Sequence, residues 1–179
     1  YGGGSYSSPN QTGFQFFDNY LCDLLDVQSI NGLHNTARTY ARLALATLCF
    51  SLILLWMYLP KLFTVKRKAQ KVMSTAGILA MTITLFLASE IHDIILRIAG
   101  VFGTIALIIT IIELYKDRYT FLFALGITCL ILFLTNYFFY ETELLLDTLP
   151  LIQKITFIFC IFWFMMLNRA LYKKLSRKL

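Results

Sequence analysis

Five apolar stretches, each close to the length that crosses a bilayer as a helix, follow one another with only short polar breaks between them. In hydrocarbon every backbone N–H and C=O must find its partner within the protein, so such stretches can only be helices in a chain of this pattern. The expected fold is therefore all-α, a polytopic membrane helix bundle with five transmembrane helices present. Of 179 residues, 58% are hydrophobic and 15% charged, with a mean hydropathy of +0.68, which is more apolar material than one soluble core of this size would hold.

Residues 1–35 form an extracytoplasmic segment in this reading. Gly2-Gly3-Gly4 and Ser7-Ser8-Pro9-Asn10 mark its start as loop. Phe14, Phe16, Phe17, Tyr20, Leu21, Leu24 and Leu25 then recur at helix-like spacing, interrupted by Asp18, Asp23 and Asp26. Two readings stand side by side, a short amphipathic helix lying on the membrane or the bundle and a structured loop with aromatic anchors. The bundle proper covers 36–179, with helices expected at about 36–59, 72–89, 93–115, 119–140 and 150–171. Asn35 suits the cap of the first, Pro60 ends it, and Pro150 suits the first turn of the last, where a helix has no use for the missing N–H. The second run is about the minimum length for a crossing. Gly100, Gly103 and Thr104 form a small-residue stripe that lets another helix approach, a packing feature.

Charge sets the expected orientation. Twelve of the sixteen Lys and Arg fall in the loop 61–71, the turn 113–118 and the C-terminal tail, whereas Arg38, Arg42, Arg97 and Lys154 lie towards the other side together with eight of the ten acids. Basic residues beside membrane helices favour the cytoplasm, so the C-terminus is expected inside and Tyr1 outside. The same bias accounts for the net charge of +6 without nucleic acid, and leaves membrane lipids as the expected partners. An outward start without a signal peptide implies a further helix upstream of Tyr1, six in all, whose absence would leave a groove. Cys49, Cys129 and Cys160 sit in apolar segments and only Cys22 in a polar one, so neither a disulfide framework nor a metal-type cysteine pair is expected, and no cofactor is implied.

The densest polar site is 89–97, where Ser89, Glu90, His92, Asp93 and Arg97 border two apolar runs. Asp93 and Arg97 are four apart on one helical face and can neutralise each other at low dielectric. Together with Arg38 and Lys154 they make an expected ligand-binding set of Arg38, Glu90, His92, Asp93, Arg97 and Lys154 in an outward-facing recess roofed by 14–25. The bland alternative is that Arg97 and Lys154 reach the interface and pair with Asp93 and Glu141. Functionally the recess fits a lipid headgroup or other anion. The other class is an intramembrane hydrolase with His92 and Asp93 as catalytic candidates, with or without metal, for an imidazole can carry a proton and Asp93 can orient it. A His-Asp pair near a Ser loosely resembles membrane hydrolases related to alkaline ceramidase. Catalytic zinc usually takes three protein ligands, and the chain has only His34 and His92 as histidines.

Across Asn19-Tyr20-Leu21-Cys22-Asp23-Leu24-Leu25, Ile30-Asn31-Gly32-Leu33-His34-Asn35-Thr36-Ala37-Arg38 and Leu149-Pro150-Leu151-Ile152-Gln153-Lys154, the chain resembles domain-of-unknown-function family 998, bacterial and archaeal multi-pass membrane proteins. The resemblance covers nearly the whole chain. It implies six helices, the first ending just before a Tyr-Pro-Gly-Gly-like opening that Tyr1-Gly2-Gly3 matches apart from the Pro, and it implies the plasma membrane of a prokaryote. The chain departs from that pattern at Leu33, His34 and Thr36, which argues against a shared catalytic role for His34. The resemblance implies no activity.

Overall fold

The computed structural model describes residues 1–89 and 91–177. It is all-helical: α1 is Arg38–Tyr58, α2 Lys68–Thr84, α3 His92–Lys116, α4 Thr120–Thr142 and α5 Leu149–Ser176, with 3-10 turns at Cys22–Leu25 and Leu59–Leu62. Among the described residues, four helical stretches are long and apolar enough to cross a membrane, namely Arg38–Leu62, His92–Lys116, Thr120–Thr142 and Leu149–Ser176. The expected count of five is thereby corrected. The second helix begins earlier than its apolar run, taking Lys68, Gln70 and Lys71 into its first turn, and stops at Thr84, so that 85–89 are turns. Its 17 residues rise about 25 Å, short of a hydrocarbon core of about 30 Å.

Local chemistry sets the helix ends. The Asn35 side-chain oxygen accepts the Ala37 N–H at 3.0 Å just ahead of α1, as its capping role required. Pro60, with no N–H for an α-helical bond, falls in the 3-10 turn that closes α1. Between α3 and α4, Arg118 takes a left-handed φ of 59°, which lets the Tyr119 N–H return to the Leu114 carbonyl at 2.9 Å. Within the apolar helices, Thr82, Thr84, Thr104, Thr110 and Thr128 each turn the hydroxyl onto the carbonyl four residues back, which satisfies it without a partner helix.

The chain divides into two compact units, Tyr1–Ala46 with Leu132–Ile158, and Thr47–Ile131 with Phe159–Leu179. In the second unit α2 packs along α3. Its core joins Leu55, Trp56, Leu59, Met73, Ala76, Ala106, Ile111, Leu114, Cys129, Trp163 and Leu167. Two glycines make that packing possible. A Cβ on Gly77 would lie 2.2 Å from the Trp56 indole, and one on Gly126 would lie 2.9 Å from that of Trp163. The Trp163 N–H donates to the Leu122 carbonyl at 2.9 Å. Gly103 faces Ala80 at ordinary contact, consistent with the packing reading of the small-residue stripe.

In the first unit the residues 14–25 adopt the structured-loop reading, with one 3-10 turn, Cys22–Leu25, as their helix. Side chains explain why a longer helix does not form. Asp23 accepts the Tyr20 N–H at 2.9 Å, and Asn19 accepts the Gln15 N–H at 2.9 Å, drawing the backbone into turns.

Candidate functional site

The first unit is built around two buried asparagines. Asn19, wholly buried, donates to the Gly4 carbonyl at 2.6 Å and to the Asp23 carboxylate at 3.1 Å, while its oxygen accepts from Gln11 at 3.1 Å. Gly4 and Gly3 reach this knot because both take positive φ, and a Cβ on Gly3 would collide with the Gln11 carbonyl at 2.2 Å. Asn35 donates to the carbonyls of Leu24 and Asp26 at 3.1 and 3.0 Å. One amide thus closes the loop and caps α1.

The start of α5 is fastened to the same knot. The Gln153 side-chain oxygen accepts the Leu21 N–H at 2.9 Å, and the Lys154 ammonium donates to the carbonyls of Asn19 and of Pro150. Lys154 is 2% exposed, with Phe14 and Phe16 within cation–π reach at 5.7 and 5.1 Å. Backbone carbonyls take its hydrogen bonds, because the loop 14–25 folds over the α5 terminus and brings the Asn19 carbonyl to it. Burial also acts on the neighbouring acids and thiol. It raises Asp23 above the ordinary carboxylate range against the opposing hydrogen bonds from Asn19 and Tyr20, and pushes Cys22 up to about 11 and Tyr20 up to about 12.

Beside this roof, Arg38, Thr39, Arg42 and Leu43 line an open cleft of about 440 Å³. The Arg42 Nε donates to the Leu25 carbonyl at 3.0 Å, so the loop holds that guanidinium along α1. Arg38 stands one turn earlier on the same side. Two cations at one mouth are suited to a phosphate or carboxylate.

The remaining expected residues belong to the second unit. His92 and Asp93 open α3, with the His92 Nδ1 3.2 Å from the Asp93 carboxylate, whose side chain is 67% exposed. Arg97 lies one turn further along α3 and is exposed. Glu90 lies outside the described residues. Among the described residues no group of three His, Cys, Asp or Glu side chains converges as metal ligands would.

A second polar knot, not expected from the sequence, closes the basic end of this unit. Glu113, with no exposed side-chain area, accepts from Arg67 at 2.7 Å, Gln70 at 2.7 Å and Lys116 at 3.2 Å. Asp117 accepts the Thr64 N–H at 2.5 Å, and Lys174 donates to the Leu62 carbonyl at 2.5 Å. The available signal was Glu113 itself, an acid at the end of an apolar run facing a loop of five bases.

Compared with known proteins, the chain matches no family model, no curated protein and no solved structure.

Proposed function

We propose that this chain, a multi-pass membrane protein by its four apolar helices, binds an anionic group through the cleft of its first unit. The observation that carries this reading is the placement of Arg38 and Arg42 around one cleft of about 440 Å³, with Arg42 held by the Leu25 carbonyl. Arg38, Arg42 and Thr39 supply the donors, and with Tyr1 outside, the orientation we propose from the charge distribution, they meet a lipid headgroup of the outer leaflet or a free anion. Kinship with family 998 and residence in a prokaryotic plasma membrane are part of the same proposal.

Inorganic phosphate at matched ionic strength raises the unfolding temperature of the purified protein, and Arg38→Gln and Arg42→Gln each abolish the rise. A rise that survives in both variants refutes the reading. Repeating the measurement in nanodiscs with and without phosphatidylglycerol separates a headgroup from a free anion. The orientation is tested in a background without native cysteines: an impermeant thiol reagent added outside labels Leu144→Cys and spares Val65→Cys, both exposed positions.

The hydrolase reading comes second, carried by the His92–Asp93 contact. It requires zinc or hydrolytic activity in the purified protein that His92→Gln removes.

A further inference from the structure

Within the second unit, α1 and α5 enclose a groove of about 530 Å³ that is distinct from the arginine cleft. Its floor is Leu55 and Leu171, both buried, and Phe164, whose ring packs edge-on against Trp56 at 5.9 Å. Ser51 lines one wall but donates its hydroxyl to the Thr47 carbonyl at 2.8 Å, so that wall offers little polarity. Polar character gathers at one end, where Tyr58, Asn168 and Tyr172 form the rim. There the Lys61 ammonium lies 4.4 Å above the Tyr58 ring, and Lys174 is tied to the Leu62 carbonyl. The groove is therefore amphiphilic along its length, apolar at Leu48 and cationic beyond Tyr58.

Its length selects the occupant. From Leu48 to Tyr58 α1 rises about 15 Å, half of a hydrocarbon core of about 30 Å. A packed transmembrane helix would need a seam running the full thickness, whereas one acyl chain needs only the depth of one leaflet. The volume falls within the range of about 300–1,000 Å³ found for small-ligand sites.

We infer that this groove holds one acyl chain of an anionic phospholipid, whose headgroup is met by Lys61, Tyr58 and Tyr172 at the basic end of the helices. The site rests on the reading of the chain as a membrane protein and is independent of the Arg38–Arg42 cleft. In the proposed orientation it opens to the cytoplasmic leaflet, where anionic lipid attracts cations next to a helix end.

Native mass spectrometry of the whole chain in detergent, titrated with dioleoyl phosphatidylglycerol or dioleoyl phosphatidylcholine, tests it. The wild-type protein holds the first lipid about tenfold more tightly. Lys61→Gln, a surface change that leaves the fold intact, lowers that preference about fivefold. Ser51→Phe, which fills the groove from an exposed position, weakens both lipids. Lys61→Gln lowers the preference by the same factor in an Arg38→Gln background, which separates this site from the first-unit cleft. Equal affinity for the two lipids overturns the inference, as does a preference that survives both Lys61→Gln and Ser51→Phe. A groove-filling variant that breaks up a dimer of the chain also overturns it, since a second copy would then be the occupant.

Discussion

The ammonium of Lys154 donates to the backbone carbonyl of Asn19, 135 residues earlier in the chain. That bond fastens the polar N-terminal loop to the first turns of α5, and the same asparagine organises the loop through its side chain. A charge 2% exposed at this position serves as a clamp on backbone. Lys154→Met removes the donor while keeping the stem, and the loss is about 2–3 kcal/mol on the scale of charged hydrogen bonds. Thermal unfolding and protease sensitivity of 1–35 measure it. An unchanged unfolding temperature would show the clamp to be idle.

Asn35 bonds both the loop and the helix start, so its replacement should be felt in both. Asn35→Ala costs about 2–3 kcal/mol, the sum of a lost cap and of carbonyls left without donors. Hydrogen exchange should quicken at Ala37 and across 23–27 together. Quickening at Ala37 alone would show that the donations to Leu24 and Asp26 contribute nothing.

Asp23 supplies a pH dependence with a definite sign. Its carboxyl is raised by burial, so the stability it contributes is full below the unfolded value and is lost as pH rises through the raised one. Acidification from pH 7 towards pH 4 should therefore stabilise the wild-type first unit relative to Asp23→Asn, in which the group cannot titrate. Parallel pH profiles for the two proteins would contradict this.

Cys22 should be a sluggish nucleophile. With its thiol pushed up to about 11 by burial, the thiolate at pH 8 is about a hundredfold scarcer than for an ordinary thiol with a pKa near 9. Alkylation by iodoacetamide, read by mass spectrometry, should be slower by about that factor and should recover in denaturant. A rate matching a free thiol would place Cys22 in water.

In the second unit, Arg67→Met should cost about 2 kcal/mol, because Glu113 keeps Gln70 and Lys116 as donors. The double change Arg67→Met with Glu113→Gln should cost less than the sum of the singles. Gly77→Ala should be destabilising by about 1–3 kcal/mol through overpacking against Trp56.

Local chemistry along the chain was enough to place the helices and most of their ends. Hydropathy over twenty residues, the Asn35 cap and the Pro60 stop are local properties, and a chain that must satisfy its backbone in hydrocarbon has no alternative to helix there. The length of α2 was less legible, since its apolar run and its helix are offset by the polar first turn from Lys68 to Lys71. What the polar groups do follows from long-range packing. Lys154 stood out in the sequence as a charge at depth, and it is buried and partnered as such a charge must be, but its partners are carbonyls presented by a folded loop, which no spacing rule encodes. Arg42 became part of a cleft because the Leu25 carbonyl reaches it, and Glu113 became a buried acceptor because the loop before α2 brings Arg67 to it and the first turn of α2 brings Gln70. Such contacts join residues far apart in the chain, where geometry in three dimensions, and not periodicity, selects the partner.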